Sequence, residues 1–362
     1  MKYIKKKCLF LTVKILILFF YIIYSFFDIA FNNFKNPKIS IFLPIYNKEK
    51  YIQKSIKSIQ SQTLKDIEII AINDFSNDTS LNILQEMVKN DSRIKIINNN
   101  KNYGLLYSRA IGIISCTGEY IMNLDPDDEF EGPDNLEVLY KEAKKTKIDM
   151  ISFGSLFRNE NKIIFKCSNF GEILSQPQIF ESAFNSKYYL NDFLIWNKLI
   201  KRDILLKAYK TFKQKVYGEK WNYHEDNIWS LLVHKYSKSM KCLNKIIYIY
   251  NNYHDSLMKK RHDIIELNNL IYRHEMFKKI LILKNEEKYL FAELKEIIHF
   301  FKANDNCFKL LKKNEEIRHK YIKLFVDFNN NYHLENSIKK RVISFLNQIS
   351  IFSKKEVNLF NS

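Results

Sequence analysis

Glycine and proline are scarce in this sequence, with 7 Gly and 5 Pro in 362 residues. Collagen-like, linker-rich and glycine-loop architectures are therefore excluded. Neither GxGxxG nor GxxxxGK[ST] occurs, which excludes the standard dinucleotide fingerprint and the P-loop, because both need glycine where the backbone approaches phosphate. The 5 cysteines are widely separated and odd in number, so their spacing predicts neither a CxxC metal site nor a disulfide framework.

The sequence also lacks a concentrated basic segment. Its 58 Lys and Arg against 40 Asp and Glu give a net charge of +18, but the excess is spread along the whole chain. A diffuse excess of lysine is more typical of solvated surfaces than of nucleic-acid recognition. We therefore expect no nucleic-acid partner. The apolar content of 46% is enough for one large core or two smaller ones.

One long hydrophobic run lies near the N-terminus. Residues 8–27 carry a single charge, Lys14, and follow a cluster of lysines. A helix of this length, at about 1.5 Å per residue, spans roughly 30 Å, the thickness of the bilayer hydrocarbon core. No small-residue cleavage site follows, which favours an uncleaved anchor over a signal peptide. The lysines favour a single-pass protein with a cytoplasmic N-terminus, and a body in the Golgi or endoplasmic reticulum lumen if the organism is eukaryotic.

Short β-branched runs alternate with amphipathic stretches from residue 38 to about residue 154. The pattern predicts strands at 39–44, 67–72, 94–97, 120–124 and 148–153, and helices that begin after residue 50 and at 81, 105 and 136. Asn47 is the predicted N-cap of the first helix. This alternation predicts an α/β fold with a mostly parallel sheet and helices on both faces. Such sheets bind ligands at the carboxyl ends of their strands.

Three carboxylates, Asp125, Asp127 and Asp128, follow the predicted strand at 120–124. Like charges this close repel one another unless a cation or hydrogen-bond donors neutralise them. Carboxylate oxygens suit a hard divalent metal ion, whereas an acidic turn or helix cap is the structural alternative. The cluster alone does not decide between the two.

Further motifs accompany the acidic cluster in a fixed order. They are Pro44-Ile45-Tyr46-Asn47, Asn73-Asp74-Phe75-Ser76-Asn77-Asp78, Asn102-Tyr103-Gly104-Leu105 with Arg109, Gly118-Glu119-Tyr120, and Asp125-Pro126-Asp127-Asp128. The set closely resembles the nucleotide-sugar-binding half of family 2 glycosyltransferases, which are inverting enzymes of the GT-A fold. Two later groups, Trp196-Asn197-Lys198-Leu199 and Glu225-Asp226, fall where members of that family often carry acceptor-side motifs.

The resemblance implies a role for each matching residue. Pro44, Tyr46 and Asp74 would hold the uracil and ribose of a UDP-sugar, and Asp125 would reach the ribose hydroxyls. Asp127 would ligate Mn²⁺ or Mg²⁺ between the two phosphates. Asp226 would be the general base that takes the proton of the acceptor hydroxyl. The other matching residues are Asn47, Asp78 and Arg109 on the nucleotide side, and Trp196, Asn197, Lys198, Asp128 and Glu225 on the sugar or acceptor side.

Several of these residues have a structural alternative. Tyr46 could only pack, and Arg109 could only brace the acidic cluster by pairing with Asp125 or Asp128. Trp196 could be a half-buried aromatic of the core, and Glu225 a partner of the general base. The chain also departs from the family pattern at Phe75, where glycine is usual, so a positive φ at that position would be strained.

The motifs divide the chain into three parts. We expect a basic tail, anchor and linker at 1–36, a glycosyltransferase domain at 37–260 with a nucleotide-sugar half (37–154) and an acceptor half (155–260), and a helical extension at 261–362. The expected activity is metal-assisted transfer from a UDP-sugar to a hydroxyl of a glycan, lipid or protein. The alternatives are a nucleotidyltransferase on a similar sheet, which would want a basic phosphate loop after the first strand, and a tethered binding or adhesion module without turnover.

Overall fold

The computed structural model describes residues 37–158, 162–165, 171–176, 178–179, 194–215 and 225–251, together with residues 271, 275, 280, 314, 316–317, 319–321 and 323–324. The chain divides into two compact units between Pro37 and Lys38. The predicted anchor at 8–27 and most of the predicted helical extension lie outside the described residues. None of the helices within the described ranges has the length and hydropathy that a membrane crossing needs.

Ten strands and six helices have both ends within the described residues. In chain order these are β1 (Ile39–Ile45), α1 (Ile52–Gln60), β2 (Ile67–Asn73), α2 (Ser80–Asn90), β3 (Ile94–Asn98), α3 (Leu105–Ser115), β4 (Tyr120–Asn123), β5 (Glu129–Phe130), α4 (Asn135–Thr146), β6 (Met150–Phe157), β7 (Lys162–Phe165), β8 (Ile173–Ser175), β9 (Lys198–Lys201), α5 (Arg202–Lys215), α6 (Glu225–Tyr236) and β10 (Ser239–Tyr250). The alternation of strands and helices predicted between residues 38 and 154 is confirmed, with shifts only at the element ends.

The strands form one mixed sheet. β3, β2, β1 and β4 lie side by side in that order and are parallel. β9 is antiparallel between β4 and β6, and β10 is parallel to β6. Three short strands pair antiparallel with these two: β5 and β8 with β10, and β7 with β6. The prediction of a mostly parallel sheet is therefore confirmed for β1 to β4 and for β6 with β10, and wrong for β9 and the short strands, which pair antiparallel.

Both faces of the sheet are covered by helices, as predicted. A strand buried on both faces is mostly apolar, and all seven residues of β1 are buried, with Ser40 as its polar member. On one face, Ile41 and Leu43 belong to an apolar cluster with α1, α2 and α4. On the other face, α3 lies so close to Phe42 that a Cβ on Gly112 would come within 2.5 Å of the Phe42 ring. α5 packs against α3 and α6.

The prediction that Asn47 caps the first helix is wrong. α1 begins at Ile52, after Tyr51 as N-cap, and no side chain caps it. The Lys48 carbonyl accepts the N–H groups of Tyr51 and Ile52, both at 3.0 Å, so a turn separates Asn47 from the helix. Asn47 itself has a φ of 51°, a left-handed conformation that asparagine tolerates better than most residues.

Two cysteines lie among the described residues. Cys116 is a buried free thiol, and burial raises its pKa above the ordinary value. Cys242 in β10 is disulfide-bonded. The spacing of the cysteines did not predict this bond.

Candidate active site

The predicted nucleotide-side residues meet at the carboxyl edge of the parallel strands. Three connections leave β1, β2 and β4 at this edge, and because the strands are parallel neighbours the connections lie side by side. We call them loop 1 (residues 46–51), loop 2 (residues 74–79) and the acidic loop (residues 124–128).

Hydrogen bonds join loop 1 to loop 2. The Asn47 N–H donates to Ser76 Oγ at 3.1 Å, and the Asn77 N–H donates to Asn47 Oδ1 at 2.8 Å. Further along both loops, the Glu49 N–H donates to Asp78 Oδ2 at 3.0 Å. Asn47 and Asp78, both predicted on the nucleotide side, therefore hold the two loops together.

Asp74 is 3% exposed and connects loop 2 to the segment before α3. Its Oδ1 accepts Asn99 Nδ2 at 2.8 Å and the Tyr103 N–H at 2.9 Å, and its Oδ2 accepts the Gly104 N–H at 2.8 Å. Gly104 has a φ of 85°, which glycine adopts without steric cost. Asp74 Oδ2 can accept one more hydrogen bond. The predicted hydrogen bond from a base N–H to Asp74 is therefore possible, and it stays a prediction.

Pro44 and Tyr46 differ in exposure. Pro44 lies in β1, paired with Ile72 of β2, and is buried. Tyr46, the first residue of loop 1, is 42% exposed. Its ring is therefore accessible to a ligand, and the alternative in which Tyr46 only packs in the core is not supported.

Arg109 of α3 joins the acidic loop to a distant part of the chain. The side chain is 2% exposed; its Nε donates to Asn123 Oδ1 at 3.3 Å, its Nη2 to Asp125 Oδ1 at 3.1 Å and its Nη1 to Glu225 Oε1 at 2.5 Å. Burial alone would lower the pKa of Arg109, but Asp125, Glu225 and Asp226 raise it above the ordinary value. The pairing with Asp125 matches the structural alternative for Arg109, and a direct contact of Arg109 with the nucleotide stays a prediction.

The Arg109 guanidinium brings the start of α6 to the acidic loop. Glu225 and Asp226 lie in the first turn of α6, and Glu225 is 5% exposed. Burial raises the pKa of Glu225 above its ordinary value, although Arg109 opposes the shift. Asp226 is the more exposed of the two acids, and its Oδ1 accepts the Asn227 N–H at 3.0 Å. Glu225 therefore anchors α6, and Asp226 is its more accessible carboxylate.

Asp127 pairs with Lys48, a residue that the sequence motifs did not single out. Lys48 Nζ lies 2.5 Å from Asp127 Oδ2, and the two side chains are 19% and 17% exposed. Burial raises the pKa of Asp127, Lys48 opposes this shift and Asp125 adds to it. In the sequence, the one sign of this ion pair is that Lys48 directly follows the Pro44–Asn47 motif.

Asp128 is 1% exposed and holds the acidic loop against β10. Its Oδ2 accepts the Tyr248 hydroxyl at 2.6 Å and its Oδ1 accepts the Asn251 N–H at 2.7 Å. The Tyr248 oxygen accepts the Asp125 N–H at 3.3 Å, and Asn251 Nδ2 donates to the Asp127 carbonyl at 3.0 Å. Burial raises the pKa of Asp128 well above its usual value, and the neighbouring carboxylates add to the shift.

The acceptor-side residues Trp196, Asn197 and Lys198 are buried. Trp196 is 6% exposed, and its ring centroid lies 4.5 Å from that of Tyr248, with the planes tilted by 32°. Lys198 Nζ donates to Asn197 Oδ1 at 2.9 Å. Trp196 therefore supports Tyr248 and, through it, the acidic loop. A direct contact of these residues with an acceptor stays a prediction.

The acidic loop has the chemistry for a divalent cation but not a closed cage. Within the part of the chain that the structure describes, no group of three or more His, Cys, Asp and Glu side chains is arranged to hold a metal ion. Mg²⁺ and ions like it are often held by one or two carboxylates together with substrate phosphates. Asp127 offers partly buried, hard oxygen ligands for such a site, although Lys48 Nζ lies on one of them.

Known proteins share both the sequence and the fold of this chain. The model of glycosyl transferase family 2 matches residues 40–206. An uncharacterized glycosyltransferase of Haemophilus influenzae is 30% identical over 254 residues, which cover 69% of this chain and 73% of that protein. The uncharacterized glycosyltransferase EpsJ of Bacillus subtilis is 28% identical over 223 residues, 61% of this chain and 63% of EpsJ.

A structural comparison agrees with the sequence comparisons. The crystal structure of S. aureus TarS 1–349 in complex with UDP-GlcNAc superposes with a TM-score of 0.65 at 17% identity, over 89% of each chain. At this identity the likeness concerns the fold alone, and it is consistent with the predicted GT-A type. This chain spans less than two thirds of the length of EpsJ. On the family match and the Haemophilus influenzae relative, the chain belongs to glycosyl transferase family 2.

Proposed function

We propose that the protein is an inverting glycosyltransferase that moves a sugar from a UDP-sugar to an acceptor hydroxyl. One observation carries the proposal: the buried Arg109 guanidinium binds Asp125 of the acidic loop and Glu225 at the start of α6. This bridge brings Asp226 to the edge of the sheet that carries Asp74 and the acidic loop. Family membership supports sugar transfer, and the UDP-GlcNAc complex of TarS supports a nucleotide-sugar donor.

Loops 1 and 2 and the acidic loop would hold the donor. The accessible ring of Tyr46 suits contact with uracil, and the remaining acceptor capacity of Asp74 suits its imide N–H, because an ionised carboxylate only accepts. Asp125 would accept hydrogen bonds from the ribose hydroxyls while it is held by Arg109. Arg109 is too buried to reach phosphate, so its part in donor binding is to position Asp125.

Asp127 would hold Mn²⁺ or Mg²⁺ together with the donor phosphates. When bound, the ion withdraws charge from the departing nucleoside diphosphate. Lys48 competes with the cation for Asp127 Oδ2, since its ammonium group lies on that oxygen. Asp128 would not bind the ion, because its Oδ2 accepts the Tyr248 hydroxyl and its Oδ1 accepts the Asn251 N–H.

Asp226 would act as the general base. Its carboxylate takes the proton of the acceptor hydroxyl while the hydroxyl oxygen bonds to the anomeric carbon and the bond from that carbon to the diphosphate oxygen breaks. Attack from the face opposite the leaving group inverts the anomeric configuration. Glu225 is unsuited to this role because it is buried and bound by Arg109.

The acceptor and the membrane setting are further parts of the proposal. The acceptor hydroxyl belongs to a glycan, a lipid or a protein. Anchoring through residues 8–27 with a cytoplasmic N-terminus rests on the hydropathy and the lysines of that segment.

Release of the nucleoside diphosphate from a panel of UDP- and GDP-sugars tests the proposal. We expect release from a UDP-sugar, and about a thousandfold slower release in Asp226→Asn with unchanged UDP affinity, because only proton transfer is removed. Asp203→Asn is the matched control, since Asp203 lies in the first turn of α5 and is exposed. Full turnover in Asp226→Asn would exclude Asp226 as the base. UDP binding without release from any sugar nucleotide would favour a binding module.

A further inference from the structure

Three large aromatic side chains are exposed at the carboxyl edge of the sheet. Tyr46 is 42% exposed, Phe75 49% and Tyr103 40%. Tyr46 begins loop 1, Phe75 lies in loop 2, and Tyr103 follows β3. We call these three residues the aromatic rim.

Hydrogen bonds hold the three segments of the aromatic rim together. Asn47 and Ser76, which directly follow Tyr46 and Phe75, are joined by the Asn47 N–H at 3.1 Å. The Tyr103 N–H donates at 2.9 Å to Asp74, the residue before Phe75. Each aromatic residue is therefore at most one residue away from a bond between segments, and the three lie together beside Asp74.

Phe75 has an unfavourable backbone conformation, with a φ of 61°. Among the described non-glycine residues, Asn47 and Lys147 also have positive φ, but each has an evident reason. Asparagine tolerates this region, and Lys147 is the left-handed C-cap that ends α4. A bulky aromatic residue does not favour it.

Half of the Phe75 side chain is exposed, so its burial in the core does not account for the strained backbone. The turn around it is fixed instead by local bonds, in which the Ser76 N–H donates to Asn73 Oδ1 at 3.3 Å. A strained residue that the surrounding bonds hold in place, at the edge of a binding site, indicates a use for its side chain outside the core.

We propose that Phe75 contacts the nucleobase of the donor, with Tyr46 and Tyr103 completing an aromatic edge around that base. The inference rests on the proposed function and deepens it, because it adds Phe75 and Tyr103 to the residues proposed to contact the base. Phe75 directly follows Asp74, the residue proposed to accept the imide N–H of the base. Aromatic side chains contact the flat faces of bases, whereas they offer nothing to the charged phosphates.

Phe75→Gly separates this role from a structural one. We expect the affinity for UDP, measured by isothermal titration with Mn²⁺, to fall about tenfold, and the affinity for pyrophosphate, which has no base, to stay the same. The melting temperature should rise by about 2 °C, because glycine adopts positive φ without strain. Phe75→Trp should keep the UDP affinity, and Phe75→Leu, which keeps bulk without an aromatic ring, should lose it.

Lys147→Gly is the matched control for relief of strain. Lys147 lies before β6, which runs in the same direction as β4 because β9 is antiparallel to both. It is therefore at the opposite edge of the sheet from the site. This variant should gain stability without a change in UDP affinity.

Two results would contradict different claims. If wild-type protein binds UDP and both Phe75→Gly and Phe75→Leu bind it equally well, Phe75 does not contact the base and the inference is wrong. If the wild-type protein binds no uridine nucleotide, the proposed function itself is wrong.

Discussion

Buried carboxylates at the two edges of the sheet differ in how their charge is balanced. At the amino edge, Glu68 is 3% exposed and accepts Ser40 Oγ at 2.6 Å, the Thr117 N–H at 2.5 Å and Lys95 Nζ at 2.8 Å. Burial alone would raise the pKa of Glu68, but bonds from Lys95, Ser40 and Thr117 lower it below the ordinary value. This carboxylate is fully supplied with donors, as a structural group should be.

At the carboxyl edge the balance is reversed. Burial raises the pKa of Asp127, Asp128 and Glu225 above their ordinary values, and the donors and cations nearby do not cancel that shift. Glu68 therefore has enough donors within the protein, whereas the acids of the carboxyl edge keep uncancelled negative charge, and Asp127 is the one among them that a cation would reach. The predictions below test this difference.

Replacement of Arg109 should have the largest effect on stability. Arg109→Met leaves the carboxylates of Asp125 and Glu225 without their shared cation, and we expect a loss of about 3–5 kcal/mol in the free energy of unfolding. At the other edge, Lys95→Met should cost less than about 1 kcal/mol, because the Lys95 side chain is 59% exposed. Urea denaturation measures the loss in the free energy of unfolding for each variant. Equal losses would contradict the proposed difference in charge balance between the two edges of the sheet.

Glu68→Gln should give an intermediate and pH-dependent effect. Because the folded pKa of Glu68 is lowered, its ionised form contributes stability above the unfolded pKa, near 4.5, and that contribution is lost as the pH falls through the folded pKa. We expect the variant to be about 2 kcal/mol less stable than the wild type at pH 7. The difference should shrink below pH 4.5 in urea titrations, and a difference that is constant down to acid pH would contradict the assignment.

Lys48→Met should have the smallest effect of the three. It concerns Mn²⁺ affinity instead of stability, and we expect a gain instead of a loss. Removing the ammonium group that lies on Asp127 should strengthen Mn²⁺ binding in the absence of donor about fivefold. Lys95→Met is the control, because it removes the lysine that pairs with the buried Glu68 at the amino edge. It should leave the Mn²⁺ affinity unchanged. Weaker Mn²⁺ binding in Lys48→Met would show that Lys48 supports the cation site instead of competing for it.

The first half of the fold was predictable because local patterns determine it. β1 and β2 are buried over their whole length and are mostly apolar, interrupted by Ser40 and Glu68, and the amphipathic helices between the first strands follow from their periodicity. β10 was missed, although it is 12 residues long, because its partners lie far away in sequence. The antiparallel β9 was missed for the same reason.

The candidate site was predictable in its residues but not in its contacts. The motifs singled out Arg109, Asp127 and Glu225, and the bond between Arg109 and Glu225 joins residues 116 positions apart, which no local pattern indicates. Lys48 and Tyr248 act through similar long-range contacts, to Asp127 and Asp128. Tertiary packing determines which distant side chains contact each other. These contacts could therefore be identified only from the structure.

Titration of UDP in the presence of Mn²⁺ and again in EDTA tests the central claim most directly. We predict tight binding with Mn²⁺, much weaker binding in EDTA, and loss of the metal-dependent part in Asp127→Asn but not in Asp134→Asn, whose acid forms an exposed ion pair with Lys245. Equal UDP affinity with and without Mn²⁺, or an Asp127→Asn variant that behaves as the wild type, would contradict a cation-assisted donor site at the acidic loop.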